Sequence, residues 1–113
     1  NLFQSDLLND VEEADYDIIV ANLPYIPTET LSSLESEVVD YEPLVALDGG
    51  VDGLLYINRL IKEIEEKDIT NLTLFLEVDT SHATTILNNL SDWKQVELEK
   101  DLVERDRYII AKR

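Results

Sequence analysis

The sequence contains no cysteine, a single histidine, and only three glycines among its 113 residues. The absence of cysteine excludes disulfides and thiolate metal sites, and one histidine, His82, excludes a histidine-rich metal site. The glycines, Gly49, Gly50 and Gly53, have a spacing that fits neither a dinucleotide-binding nor a P-loop fingerprint. We expect them to serve turns and the entry into a helix, and we expect no metal site.

Basic residues are also scarce, with 9 Lys and Arg against 25 Asp and Glu, so the formal net charge is −16. Such a charge opposes contact with nucleic-acid phosphates and with anionic membrane surfaces. It suits a basic partner or simple solubility, and solubility accounts for most of it. No apolar run approaches the length that crosses a bilayer. We expect no signal peptide, and we expect a cytoplasmic protein with no membrane or direct nucleic-acid partner.

The size and composition indicate one small domain with one core, since 44% of the residues are apolar. Methionine is absent even at position 1, so we expect the chain to be a piece of a longer product.

We expect the stretch from Asp17 to Tyr25, with the sequence DIIVANLPY, to form the centre of the fold. Its uninterrupted apolar run, residues 18–21, predicts a strand buried on both faces, as in a parallel sheet. Pro24 lacks a backbone N–H and ends the strand. Because ligands of open α/β sheets bind beyond the carboxyl ends of strands, the sequence predicts a functional site at residues 22–25.

The remaining patterns predict an α/β fold that ends in an antiparallel hairpin. Thr28 is expected to cap a short turn, Asp52 to cap a helix, and Thr80 or Ser81 to cap a second helix. The predicted elements are a strand end within Asn1–Leu8, an acidic loop at Asn9–Tyr16, an irregular segment at Ile26–Pro43, a turn at Asp48–Gly50, a helix at about Gly53–Lys67, a strand at Leu72–Val78, a helix ending at about Leu90, and hairpin strands at Gln95–Glu99 and Tyr108–Ala111.

Residues 22–25 contain the groups needed to hold a planar amino group. Leu23 precedes a proline and is therefore biased to an extended conformation, which leaves its carbonyl free. The Asn22 side-chain oxygen and the Leu23 carbonyl can accept the two hydrogens of one NH₂ group, and Tyr25 can lie flat against it. Two acceptors increase the electron density on that nitrogen, and a fixed position near an electrophile supplies most of the remaining advantage.

This tetrapeptide resembles the Asn/Asp-Pro-Pro-Tyr/Phe signature of S-adenosylmethionine-dependent amino-methyltransferases. The whole chain resembles the C-terminal half of the HemK-type family, the protein-(glutamine) methyltransferases that modify peptide-chain release factors. The series that carries this likeness is Asn22–Pro27, Glu37–Val38, Tyr41–Pro43, Ala46–Gly50, Asp52–Leu54, Leu76–Val78, Asp101–Leu102 and Arg105–Arg107.

The resemblance implies a class I, Rossmann-like methyltransferase fold. Residues 1–113 would be the C-terminal portion of its catalytic domain, with the Gly-rich cofactor loop and a helical N-terminal domain upstream of Asn1. It implies methyl transfer from S-adenosylmethionine to the glutamine amide nitrogen in the Gly-Gly-Gln motif of a release factor. Without the cofactor loop, we expect this chain alone to bind S-adenosylmethionine weakly or not at all.

The resemblance also implies roles for individual residues. Asp6 could equally be a surface carboxylate or a helix cap, and the loop residues could be solvated. Glu77 could line the pocket or bond a neighbouring loop, whereas Arg105 and Arg107 are expected to neutralise local acid. The implied sets are Asn22, Leu23, Pro24 and Tyr25 for catalysis, Asp6, Leu7 and Asn22 for the cofactor, and Glu37, Tyr41 and Glu42 for a substrate loop.

Three departures from the family pattern leave alternatives open: Leu23 in place of proline, Val78-Asp79 in place of a hydrophobic-Gly pair, and Glu104 in place of a common glycine. Asn-Leu-Pro-Tyr is also the form found in ribosomal RNA adenine dimethyltransferases. An adenine amino-methyltransferase acting on RNA or DNA, and a non-catalytic fragment or interaction module, are therefore the alternative functions. The family's sheet order leaves the strand at 17–21 without a neighbour, which predicts self-association through that strand.

Overall fold

A computed structural model describes residues 2–11, 16–33 and 42–113, which form a mixed α/β fold with one four-stranded sheet. Within these ranges no helix is both long enough and apolar enough to cross a membrane. The elements are β1 (Ile18–Asn22), α1 (Leu55–Glu66), β2 (Thr73–Glu77), α2 (Ala83–Asn89), β3 (Gln95–Lys100) and β4 (Asp106–Lys112), with short 3₁₀ helices at Thr28–Ser33, Leu44–Ala46 and Thr80–His82.

The strands lie in the order β1-β2-β4-β3. β1 runs parallel to β2, whereas β4 runs antiparallel to both β2 and β3. The predicted terminal hairpin is therefore confirmed, and β4 lies in the sheet between β2 and β3. In the parallel pair Asn22 is opposite Glu77, so the carboxyl ends of β1 and β2 meet at the same edge.

One face of the sheet carries the core. Leu74 and Leu76 of β2 and Ile109 of β4 are at most 1% exposed and belong to one buried cluster with both helices. The predicted apolar face of α1 is confirmed, and each fully buried Leu or Ile contributes about 1.5–3 kcal/mol relative to exposure. The buried residues of α1 are Ile57, Leu60, Ile61 and Ile64.

The prediction that β1 is buried on both faces is wrong for the part of the chain that the structure describes. Ile19 and Ala21 pack against the core, but Ile18 is 58% exposed and Val20 78% exposed. Both α-helices contribute to the core on one side of the sheet, so these side chains on the other side stay uncovered. A continuous apolar run indicates that a strand would be stabilised by burial on both faces. Whether both faces are buried depends on the other elements that pack against it.

Two predicted helix caps are displaced. The first helix begins at Leu55, because Gly53 has a φ of +75° and cannot be part of a right-handed helix. The predicted cap, Asp52, lies before this glycine and accepts a hydrogen bond from the Leu54 N–H at 3.0 Å. Asp79, not Thr80 or Ser81, caps the 3₁₀ turn that precedes α2. Its carboxylate accepts the Ser81 N–H at 2.8 Å.

The predicted strand end within residues 1–8 is absent from the described residues 2–8. Asp6–Asp10 form a turn instead, and the Leu8 N–H donates to Glu63 Oε2 of α1 at 2.9 Å rather than to a strand. Thr28 opens a 3₁₀ helix, but its hydroxyl donates to Asp48. Part of the predicted acidic loop, residues 12–15, and much of the irregular segment, residues 34–41, lie outside the described residues.

The outer edge of β1 predicts self-association of this chain. Among the described residues β1 has only β2 as a neighbour, and its sequence IIVAN contains no charge or proline of the kind that protects edge strands. We expect light scattering to show a dimer formed by antiparallel pairing of two β1 strands. The dimer should strengthen as salt screens the net charge of −16 on each copy.

The matched variants are Val20→Lys, which places a charge on this strand, and Leu102→Lys, which places one on a fully exposed residue between β3 and β4. The first is expected to give a monomer and the second to dimerise like the unaltered chain. A monomer of the unaltered chain at all salt concentrations would contradict the pairing.

Candidate functional site

The residues predicted to form the site are Asn22, the last residue of β1, and the three residues that follow it, at the edge of the sheet where β2 also ends. They border a small cavity of about 190 Å³, which also receives one residue of the predicted substrate loop, Glu42. Among the described residues, the lining consists of Asn22, Leu23, Pro24, Tyr25, Ile26, Glu42, Ala46 and Leu47. The structure thus places an opening beside the tetrapeptide.

Two oxygen acceptors of this segment are free among the described residues. The Asn22 side chain is exposed and makes no hydrogen bond with any of them, and the Leu23 carbonyl accepts none. The strand ladder ends at Asn22, so neither group is used by the sheet. Both therefore retain their full capacity to accept hydrogen bonds from a ligand.

The segment is held from behind by the loop that precedes α1. Ile26 donates its N–H to the Leu47 carbonyl at 3.1 Å and accepts the Gly49 N–H at 2.8 Å, which makes a short parallel bridge. The Asp48 carboxylate accepts the Thr28 hydroxyl at 2.7 Å and the Gly50 N–H at 2.9 Å. These two hydrogen bonds lower the pKa of Asp48, and the bond from Thr28 has the larger effect.

Two glycines of this loop allow it to approach the Tyr25 backbone. A Cβ atom added to Gly53 would lie 2.4 Å from the Tyr25 carbonyl oxygen and 2.5 Å from His82 Cε1. One added to Gly49 would lie 2.8 Å from Tyr25 Cα. His82 closes the last 3₁₀ turn before α2, where its buried Nδ1 has no hydrogen-bond partner among the described residues. The glycines thus do more than the predicted turn formation, because their missing side chains leave room for the site.

The Tyr25 hydroxyl lies between the carboxylate of Glu77 and the guanidinium group of Arg107. It donates to Glu77 Oε1 at 3.4 Å and accepts from Arg107 Nη1 at 3.5 Å. Burial raises the pKa of Tyr25, and the negative charge of Glu77 raises it further, whereas Arg107 acts in the opposite direction. Of the two roles expected for Glu77, the structure shows a hydrogen bond to the neighbouring segment, because β2, which Glu77 ends, runs parallel to β1.

The predicted acid neutralisation by the two arginines near the last turn is confirmed. Arg105 Nε lies 2.9 Å and Arg107 Nε 3.7 Å from Asp101 Oδ2. Hydrogen bonds from Arg105 and from the Val103 N–H lower the pKa of Asp101.

A larger cleft of about 640 Å³ shares Leu23 and Pro24 with the small cavity, and it is also lined by two of the predicted cofactor residues, Asp6 and Leu7. Asp6 forms an exposed ion pair with Arg59 Nη2 of α1 at 2.9 Å. The third, Asn22, borders the small cavity and not this cleft. The described residues that line this cleft are Gln4, Ser5, Asp6, Leu7, Asp10, Leu23, Pro24, Val45 and Tyr56.

Two predicted substrate-loop residues, Glu37 and Tyr41, lie outside the described residues. In the described ranges no group of three or more His, Asp or Glu side chains is placed to hold a metal ion.

No protein-family model matches the chain, but individual relatives match nearly all of it. It is 34% identical over 110 residues to the release factor glutamine methyltransferase of Thermodesulfovibrio yellowstonii, an alignment that covers 96% of this chain and 39% of the relative. The protein of the same name from Caulobacter vibrioides is 35% identical over 112 residues, covering 97% and 39%, and that from Clostridium botulinum is 34% identical over 114 residues, covering 97% and 40%.

These relatives share one name and align with most of the chain at similar identity, so the likeness does not depend on the tetrapeptide alone. The chain spans about two fifths of the length of the curated relatives it matches. By its sequence, the chain belongs to the release factor glutamine methyltransferase family, the HemK-type methyltransferases.

Proposed function

We propose that this chain provides the amide-binding part of a class I, Rossmann-like methyltransferase. The reaction is transfer of a methyl group from S-adenosylmethionine to the side-chain amide nitrogen of glutamine in the Gly-Gly-Gln motif of a peptide-chain release factor. The observation that carries the proposal is a pair of acceptors that no described residue uses, Asn22 Oδ1 and the Leu23 carbonyl, beside a cavity at the carboxyl end of β1. The names of the relatives support the choice of substrate.

The role of these residues follows from the chemistry of an amide. Its nitrogen is a weak nucleophile, because its lone pair is delocalised into the carbonyl group. When the two N–H bonds donate to Asn22 Oδ1 and to the Leu23 carbonyl, electron density on the nitrogen increases and its position is fixed. Methyl transfer to this nitrogen would release one proton, which water at the open carboxyl end of β1 would accept. The Tyr25 ring supports the amide from the side.

S-adenosylmethionine, when bound, supplies the electrophilic methyl group. The cleft of about 640 Å³ fits part of such a ligand, since it combines the Asp6 carboxylate with the Tyr56 ring. Solvent screens the exposed Asp6–Arg59 ion pair, so a ligand hydroxyl or amino group can compete for the carboxylate. Asp6 and Leu7 would then hold the nucleoside end of the cofactor.

This chain by itself lacks a Gly-rich phosphate or cofactor loop, since its three glycines lie at 49, 50 and 53. We therefore expect calorimetry with the 113-residue chain to show weak or no binding of S-adenosylmethionine. Micromolar binding would contradict the assignment of only part of the cofactor site to these residues.

The proposed reaction is tested with the natural protein in which these residues occur, radiolabelled S-adenosylmethionine, and either release factor or RNA as acceptor. We expect label in the release factor, on the glutamine of the Gly-Gly-Gln peptide, as located by mass spectrometry. Label in adenine of RNA would replace the proposal by the alternative amino-methyltransferase, which the net charge of −16 disfavours. Label in neither acceptor would favour a non-catalytic interaction module.

A further inference from the structure

We propose that Glu77 and Arg107 are positioning residues, which hold the Tyr25 ring in place beside the amide-binding oxygens. The proposal rests on the proposed function for its catalytic consequence, but the contact itself can be tested without activity. The three side chains come from three places in the fold: the segment after β1, the end of β2, and β4. They meet only because β2 lies between β1 and β4 in the sheet.

The arginine is itself held in position. Arg107 Nη1 donates to the Val78 carbonyl at 3.3 Å, and its Nε lies 3.7 Å from Asp101 Oδ2. The Arg107 side chain is only 16% exposed and that of Asp101 12%, so solvent screens this pair less than a surface pair. The Val78 N–H, in turn, donates to the Arg107 backbone carbonyl at 2.9 Å, which ties β4 to the end of β2.

The two partners constrain the ring because they act in opposite senses on one oxygen atom. Glu77 accepts the phenolic hydrogen, and Arg107 donates to a phenolic lone pair, so both hydrogen-bonding functions of the hydroxyl are used. The Tyr25 hydroxyl then stays at the ends of β2 and β4, and the ring is fixed at both ends, by its backbone and by its oxygen. A ring held in this way is organised before the substrate arrives, and that raises the rate of a reaction that depends on position.

The arrangement explains why the position after Pro24 carries tyrosine rather than only an apolar ring. A phenylalanine would keep the flat surface but lose both contacts to the neighbouring strands. Loss of either partner leaves the ring free to move at its outer end. A misplacement of about 1 Å can cost about 100-fold in rate, so kcat is the quantity expected to change.

The catalytic test uses the natural protein with S-adenosylmethionine and release factor, and compares Tyr25→Phe, Glu77→Ala, Glu77→Gln and the Tyr25→Phe/Glu77→Ala double variant. We expect kcat to fall about 10- to 100-fold in Tyr25→Phe and in Glu77→Ala, with the KM for the cofactor unchanged. Glu77→Gln retains an acceptor oxygen and should recover most of the rate. The double variant should be no slower than Tyr25→Phe, because both changes break the same contact.

Additive losses in the double variant, or a Tyr25→Phe variant with the unaltered rate, would overturn the positioning role. Glu97→Gln is the matched control, since it removes a carboxylate from the exposed strand β3. It is expected to leave kcat unchanged.

An ultraviolet titration separates failure of this proposal from failure of the proposed function. Tyr25→Phe identifies the signal of Tyr25 among the five tyrosines. Because Glu77 raises the pKa of Tyr25 and Arg107 lowers it, Glu77→Gln should lower that pKa and Arg107→Gln should raise it. Shifts in these directions without release factor methylation would support the contact and overturn the substrate; an unchanged Tyr25 pKa in both variants would overturn the contact.

Discussion

Replacement of Asn22 by alanine in the natural protein is expected to lower kcat for glutamine methylation by about 100-fold or more, the cost typical of removing one oriented hydrogen-bonding group from a catalytic site. The physical reason is that the substituted residue offers no acceptor to the substrate N–H, while the Leu23 carbonyl alone cannot fix an amide plane. Stability should change by less than about 0.5 kcal/mol, since the Asn22 side chain is exposed and bonds no described residue. Steady-state kinetics and thermal unfolding measure the two effects.

Two further variants make this result interpretable. Asn88→Ala removes an exposed asparagine side chain from α2 and is expected to change neither kcat nor the unfolding temperature. Asn22→Asp retains an acceptor oxygen, as in the aspartate form of the amino-methyltransferase signature, and should be faster than Asn22→Ala. Full activity of Asn22→Ala would show that Asn22 does not bind the substrate amide, and it would contradict the proposed pair of acceptors.

The position of residues 22–25 at the end of a strand could be predicted from sequence because the signals for it are local. An apolar run followed by a proline marks the end of a strand, and that end is where α/β sheets bind ligands. The apolar face of α1 and the terminal hairpin were predictable for the same reason, since periodicity within one element determines them.

The contacts around Tyr25 were not predictable in this way. Glu77 is 52 residues and Arg107 82 residues from Tyr25 along the chain, and only the sheet order brings them together. The exposure of Ile18 and Val20 was missed for a related reason, because the burial of a strand face depends on which other elements cover it. The cap at Asp79 was missed because it competed with two equally suitable neighbours, Thr80 and Ser81.

Substitution of Gly53 by alanine is expected to destabilise the fold by about 2–5 kcal/mol. Its φ of +75° costs a residue with a Cβ about 1–2 kcal/mol, and overpacking adds about 1–3 kcal/mol. The overpacking falls on the Tyr25 carbonyl oxygen, 2.4 Å from the added Cβ, and on the His82 ring. The Tyr25 carbonyl belongs to the backbone and cannot rotate away, so the site itself must move. Denaturant unfolding and methylation kinetics should therefore both show a loss.

The control for this loss is Val51→Ala, which truncates a side chain that is 91% exposed in the same loop and should change stability by less than about 0.5 kcal/mol. Gly53→Asn separates the two causes, since asparagine tolerates positive φ better than alanine but carries the same Cβ. If close approach dominates, the asparagine variant remains within about 1 kcal/mol of the alanine variant. A Gly53→Asn protein as stable as the unaltered one would show that only the left-handed conformation matters, and that the loop before α1 does not press on the Tyr25 backbone.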